Sequence, residues 1–126
     1  VSFMPNFTEK ERGELLDKAV AVVYTPDKEH FGIVPLEAMY GRRPVIACRS
    51  GGPLESIVHG ETGWLCDSAP EAFAQAMLEC LMSPERSTAM GEVGRRRVEG
   101  TFSLAAFARR LHTLIVGPPG APLPPT

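Results

Sequence analysis

Apolar residues in this chain alternate between short continuous runs and spaced stripes. The runs 21–24, 44–48 and 64–66 are short and mostly apolar, which is typical of parallel strands covered on both faces. Residues 1–4 also read as a strand. Between these runs, apolar residues recur at helical spacing. The alternation predicts an α/β fold with a mostly parallel, Rossmann-like sheet flanked by helices.

Local signals predict where the helices begin and end. Thr8 and Glu11 have the spacing of a capping box, which predicts a helix to about Lys18. Pro35 favours a helix start, and Gly41 a helix end. Ser83-Pro84 and Ser103 favour two further starts. Helical spacing predicts a further helix before Ser83, with the stripe Phe73, Ala76, Met77, Cys80 and Leu81. The first helix is expected to face inward through Leu15, Leu16 and Ala19. The last helix has the stripe Leu104, Phe107, Ala108, Leu111 and Ile115.

Composition bears on whether the chain binds nucleic acid, spans a membrane, forms disulfides or holds a metal. The formal net charge is −2 with 22% charged residues, so the composition does not require a broad basic surface, and nucleic acid is not an expected main partner. No apolar run is long enough to span a bilayer. The three cysteines, Cys48, Cys66 and Cys80, lie in apolar runs and are expected to be buried, reduced thiols. His59 and His112 stand alone, and no metal site is predicted.

The first loop with candidate chemistry runs from Glu29 to Glu37. Gly32 allows the backbone to approach a ligand closely, and a helix is predicted to begin directly after it. The unpaired N–H groups of Ile33 and Val34 would favour a phosphate, while Glu37 could accept hydrogen bonds from ribose hydroxyls. The alternatives are that Glu37 only complements the helix dipole and that His30 is an ordinary loop residue.

The second candidate loop contains Gly51 and Gly52 after a predicted strand. Two glycines there can form an anion-binding concavity or a plain tight turn, and the sequence leaves both open. Both loops are expected at the carboxyl edge of the sheet, where ligands bind in such folds. Outside the loops, Arg95, Arg96 and Arg97 are expected on a solvated helix face, with contact to anionic lipid head groups as the alternative.

Glu29 and Glu37, with seven residues between them, match the E-x7-E signature of the retaining GT-B glycosyltransferases of the GT4 type. Ser50-Gly51-Gly52-Pro53-x-Glu55 and Gly60-x-Thr62-Gly63-x-Leu65 fit the same pattern. The chain thus resembles the C-terminal half of these enzymes. The resemblance implies a partial C-terminal GT-B nucleotide-sugar-binding domain over residues 1–116, followed by a proline-rich tail, 117–126, expected to be disordered.

Within this family, residues 29–39 and 44–47 are most similar to the mannosyltransferases that add the second and third mannose to a dolichol-linked oligosaccharide. The resemblance implies α-1,3 and α-1,6 transfer from GDP-mannose at the cytosolic face of the endoplasmic reticulum membrane, without a metal. It places Glu29 beside the transferred sugar as the catalytic residue and Glu37 on the ribose. It implies that the sugar and phosphate contacts come from His30, Phe31, Gly32, Ile33 and Val34, with possible loop contacts from Gly51 and Gly52.

The same resemblance implies partners. The acceptor would be a lipid-linked oligosaccharide, held by an N-terminal acceptor domain that this segment lacks. The family's basic pair for the leaving diphosphate would also lie upstream, so the segment alone is expected to show no useful turnover. Three alternatives remain: a nucleotide-sugar-binding module without catalysis, a transferase for UDP-glucose or UDP-N-acetylglucosamine, and an adaptor role for the tail as a polyproline ligand.

Overall fold

A computed structural model describes residues 1–118 of the chain. In this part, β1 (Val22–Tyr24), β2 (Val45–Cys48) and β3 (Gly63–Cys66) form one parallel sheet in the order β1-β2-β3. The expected parallel α/β fold is therefore confirmed. The prediction of disorder for the proline-rich tail falls on residues that, apart from 117 and 118, lie outside the described range.

The helices begin close to the predicted positions. Their bounds are α1 (Glu9–Lys18), α2 (Val34–Tyr40), α3 (Pro53–Ser56), α4 (Pro70–Met82), α5 (Pro84–Arg97) and α6 (Leu104–Val116). The capping box of Thr8 and Glu11 is present, and Ser103 caps α6 through Ala106 N–H. Proline stands in the first two positions of each helix from α2 to α5, where its missing N–H breaks no helical bond. A π-helical turn, Val98–Phe102, joins α5 to α6.

The sheet separates two apolar clusters, because alternate strand residues face opposite sides. The cluster on the α2 face consists of Ala38, Met39, Val45, Ala47, Ile57 and Leu65. The cluster on the α4 face consists of Ile46, Trp64, Cys66, Ala76, Cys80 and Met90. All three cysteines are buried and free, as predicted, and burial raises the pKa of the Cys66 and Cys80 thiols.

The outer edge of β3 is capped by polar groups of its own chain. The N–H groups of Val45 and Arg49 donate to the carbonyls of Thr62 and Cys66, so the backbone of Leu65 points away from β2. The Leu65 N–H donates to His59 Nδ1 at 2.9 Å, and a guanidinium N–H of Arg49 donates to the Leu65 carbonyl at 2.6 Å. Exposed strand edges otherwise offer unpaired groups to other chains, and here these groups are satisfied.

Residues 1–4 do not form the expected strand. They are exposed coil, and Phe3 retains 92% of its accessible surface. No strand among the described residues pairs with this segment, so no ladder satisfies its backbone N–H and C=O groups. An apolar stretch without a pairing partner does not form a strand on propensity alone.

Three expectations about buried faces were also wrong. Leu15 is exposed, because α1 packs through Leu16 and Ala19 instead. β1 is an edge strand rather than one covered on both faces, and Val23 is 42% exposed. The predicted stripe of α4 buries only Ala76 and Cys80 fully, and that of α6 buries none of its residues, since Ala106 is the buried residue there. The predicted residues that remain exposed are Met77, Leu81, Leu104, Phe107, Ala108, Leu111 and Ile115.

Gly13 in the middle of α1 offers a test of helix stability. A Cβ added there would meet no atom within 4 Å. We expect Gly13→Ala to raise the free energy of unfolding by about 0.5–1 kcal/mol, because alanine restricts the unfolded chain more than glycine does. Urea denaturation measures the change. Gly60→Ala is the matched control, since Gly60 has φ +81° and the substitution should destabilise the protein. A loss of stability in Gly13→Ala would contradict the prediction.

Candidate functional site

Two loops meet at the carboxyl edge of the sheet. The loop after β1 and the loop after β2 are joined by the N–H of Gly52, which donates to the Glu29 carbonyl at 2.8 Å. The N–H of Lys28 donates to Ser50 Oγ at 2.9 Å, and the Ser50 hydroxyl donates to Asp27 Oδ1 at 2.5 Å. The two loops therefore form one unit at the edge where ligands bind in parallel α/β sheets.

Glycine is required where the two loops touch. A Cβ on Gly52 would lie 1.9 Å from the Phe31 carbonyl oxygen, and one on Gly51 would lie 2.1 Å from the Glu29 carbonyl oxygen. Backbone therefore packs directly on backbone. Because the Gly52 N–H is already engaged with Glu29, the second loop supports the first one.

The carboxylate of Glu29 is half-buried between two donors. The Tyr24 hydroxyl donates to Oε2 at 3.3 Å, and the His30 N–H donates to Oε1 at 3.0 Å. Gly32, with φ +72°, lets the loop fold over this pair, since a Cβ there would lie 2.8 Å from the Tyr24 hydroxyl oxygen. Tyr24 was missed by sequence reasoning. Its position at the end of β1, facing the loop, was the available signal.

The start of α2 is open to solvent beside Glu29. Ile33 and Val34 are 65% and 39% exposed, and no side chain caps this helix. The first N–H groups of a helix are donors without intrahelical partners. The exposed residues His30 and Phe31 lie just before them. An anion could thus reach this helix end directly from solvent.

Glu37 extends from the first turn of α2 toward α1. Its carboxylate is partly buried in an ion pair with Arg12, which also contacts Glu9. Beside this pair lies an apolar depression of about 220 Å³. Its walls are formed by Phe7, Leu15, Leu16, Ala19, Val22, Val34 and Ala38. The depression gives the polar pair an apolar neighbour, as in many small-molecule sites.

Both acidic side chains lie on the same face of the sheet. Glu29 contacts Tyr24, Glu37 lines the depression that contains Val22, and these two residues of β1 point to one side. The structure thus brings Glu29, the α2 start and Glu37 together. Within residues 1–118, His, Cys, Asp and Glu side chains form no group of three that could hold a metal ion, and none of the helices could span a bilayer.

The Tyr24–Glu29 pair predicts a specific pH dependence. Burial and the neighbouring Glu29 carboxylate raise the pKa of Tyr24 above its ordinary value of 10.0. The neutral phenol therefore contributes stability that is full below pH 10 and is lost as the pH rises through the raised pKa. We expect wild type to lose more stability than Tyr24→Phe above pH 10, measured by urea denaturation along a pH series. An identical alkaline loss in Tyr24→Phe would contradict the prediction.

Comparisons with known proteins show which family the chain resembles in sequence and fold. Residues 1–97 match the family described as Glycosyl transferases group 1. The chain is 47% identical to alpha-1,3/1,6-mannosyltransferase ALG2 of Homo sapiens over 91% of this chain and 28% of that protein. It is 43% identical to the enzyme of the same name from Dictyostelium discoideum, over 91% of this chain and 27% of that protein.

A solved structure shows the same fold. Sucrose-phosphate synthase from Thermosynechococcus elongatus superposes with a TM-score of 0.82 at 30% identity, over 90% of this chain and 29% of that chain. The chain thus spans less than a third of the length of the proteins it matches. The expected resemblance to a partial GT-B domain is confirmed. Because the family model covers most of its length, the chain belongs to the group 1 glycosyl transferases.

Proposed function

We propose that this chain binds the donor, GDP-mannose, in a retaining mannosyltransferase that extends a dolichol-linked oligosaccharide through α-1,3 and α-1,6 bonds. One observation carries the proposal: Glu29 and Glu37 flank a solvent-open helix start on one face of the sheet. The 47% identity to a human alpha-1,3/1,6-mannosyltransferase supports the choice of sugar.

The donor is proposed to lie along the carboxyl edge of the sheet, with its sugar at Glu29 and its ribose at Glu37. Its sugar lies beside Glu29, with His30, Phe31 and Gly32 around it. The distal phosphate lies at the N–H groups of Ile33 and Val34, where the helix dipole favours an anion. The ribose hydroxyls donate to Glu37. The apolar depression next to Glu37 then lies within reach of the base, whose flat faces suit an apolar surface.

Glu29 is proposed to act on the reacting sugar. Transfer breaks the bond between the anomeric carbon and the diphosphate oxygen and forms a bond from that carbon to the acceptor oxygen on the same face. The proton of the acceptor hydroxyl passes to the leaving diphosphate. Positive charge develops on the sugar ring during this exchange, and a fixed carboxylate stabilises it. Tyr24 and the His30 N–H hold that carboxylate in place. The leaving diphosphate retains the bonding electrons and is neutralised by donors, which we propose do not include a metal ion.

The partners and location follow from the mannosyltransferase relatives. We propose that the acceptor is a lipid-linked oligosaccharide, bound by a second domain in the complete protein. The reaction is proposed to take place at the cytosolic face of the endoplasmic reticulum membrane. Support comes from the identity to relatives named as alpha-1,3/1,6-mannosyltransferases.

Donor binding can be tested by saturation-transfer NMR. GDP-mannose, UDP-glucose and UDP-N-acetylglucosamine would each be added to the complete protein, with and without EDTA. We expect the strongest response from GDP-mannose and no change on chelation. Glu37→Gln should weaken binding about tenfold, because a charged hydrogen bond to the ribose is lost. Glu14→Gln, on the exposed side of α1, is the control.

Any other outcome would contradict a particular part of the proposal. Equal or absent responses to the three donors would refute the assignment of GDP-mannose. Loss of binding on chelation would refute metal-independent binding. Tight GDP-mannose binding without transfer to a lipid-linked acceptor would favour a binding module over an enzyme.

A further inference from the structure

Arg97, in the last turn of α5, is bonded to the end of α3. Its Nε–H donates to the Ser56 carbonyl at 2.8 Å, and a terminal N–H donates to the Glu55 carbonyl at 2.8 Å. The expectation that Arg97 lies on a solvated helix face was therefore wrong. Arg95 also departs from it, since its guanidinium lies 4.2 Å from the centre of the Tyr40 ring. Carbonyls at a helix end attract cations, which explains the contact of Arg97 with α3.

The same Arg97 contacts an aromatic ring in the next element. Its guanidinium carbon lies 5.6 Å from the centre of the Phe102 ring. Phe102 ends the π-helical turn Val98–Phe102. A π turn contains one residue more than an α turn and is frequent at functional sites. That extra residue changes the direction of Phe102 relative to a continued α-helix.

Phe102 reaches the loop that carries Glu29. Its ring centre lies 6.1 Å from that of Phe31, with the planes inclined at 55°, an arrangement that aromatic pairs favour. On its other side the Phe31 backbone packs against Gly52. The loop segment is thus held between the second loop and the π turn, although 71 residues of sequence separate Phe31 and Phe102.

We infer that Phe102 is a positioning residue for sugar transfer, and that Arg97 fixes its ring while holding α3. This inference rests on the proposed function. Phe102 acts through Phe31 and the Glu29 loop, so its effect should fall on the sugar and not on the nucleoside diphosphate. Glu37 and the apolar depression lie where α1 and α2 meet β1, and the contact between Phe31 and Phe102 does not include them.

The test compares Phe102→Ala with Phe73→Ala in the complete protein. Both phenylalanines are half-buried, but Phe73 packs on the α4 face of the sheet. We expect Phe102→Ala to lower kcat for mannosyl transfer about tenfold and to change the Kd for GDP less than about twofold, in line with the strength of one aromatic pair. Phe73→Ala should lower the melting temperature and leave kcat unchanged. Phe102→Leu keeps apolar volume without the ring and should lie between wild type and Phe102→Ala.

The outcomes separate the two proposals. Equal kcat values for the Phe102 variants and Phe73→Ala would overturn the inference, as would a parallel loss of GDP affinity in Phe102→Leu. If wild type neither binds GDP nor transfers mannose, the proposed function itself fails. If Phe102→Ala does not fold, the result for Phe102→Leu decides. Arg97→Lys, which retains the charge but not the two-pronged contact, should reduce kcat with an unchanged Kd for GDP.

Discussion

Replacing Glu29 by Gln in the complete protein is expected to lower kcat for mannosyl transfer about 10²–10³-fold, with little change in KM. Glutamine keeps the size of the side chain; its amide oxygen can accept from the His30 N–H while its amide nitrogen donates to the Tyr24 hydroxyl oxygen. The main change is therefore the loss of the negative charge. Since charge is needed most when the sugar ring becomes positive, the effect should fall on the chemical step. Steady-state kinetics at saturating donor and acceptor measure it.

A glutamate at the opposite edge of the sheet provides the control. Glu61 is exposed in the turn that leads into β3, so Glu61→Gln removes the same charge far from the proposed sugar position. Its kcat should equal that of wild type. The role of Glu29 would be refuted by a Glu29→Gln variant with more than about a tenth of the wild-type kcat, because fixed charges at reacting centres contribute more than that.

Gly52→Ala is expected to disrupt the site by displacing the loop that carries Glu29. The new methyl group would lie 1.9 Å from the Phe31 carbonyl oxygen, so the two loops must separate. Their separation breaks the bond from the Gly52 N–H to the Glu29 carbonyl. We expect the free energy of unfolding to fall by about 2–4 kcal/mol, as for other changes that force buried backbone apart. Donor binding should fall below detection in the same NMR titration.

Gly100→Ala is the matched comparison. A Cβ at Gly100, within the π turn, would meet nothing within 4 Å. That variant should lose neither stability nor donor binding. Normal donor binding by Gly52→Ala would show that the loops need not touch, and the proposed support of the Glu29 loop by the second loop would then be wrong.

The parts of the fold that local chemistry determines could be predicted from sequence. The capping box fixed the start of α1, proline marked the start of α2, and Gly41 marked its end. The failures concern burial. Val23 and Phe107 are apolar and regularly spaced, but each is exposed. Spacing identifies which residues share a face, whereas the neighbouring element that would cover that face is a property of the tertiary structure.

The residues of the candidate site also fall into those that local sequence predicts and those that depend on tertiary packing. Glu29 and Glu37 could be selected from their spacing around Gly32, because all three belong to one loop and helix. Tyr24 and Phe102 could not be selected, since their contacts with this loop depend on how distant elements pack. The ion pair between Glu37 and Arg12 joins two helices, so the sequence pattern could not predict it either.

The capped margin of β3 limits how molecules of this protein can associate. A strand from a second molecule that approached Leu65 would find its donor and acceptor already occupied by His59 and Arg49. Addition of a strand beside β3 would first require both side chains to break these hydrogen bonds. Intermolecular β-sheet formation at high protein concentration should therefore not begin at the outer edge of β3. The same edge suits the attachment of a bulky label or fusion partner.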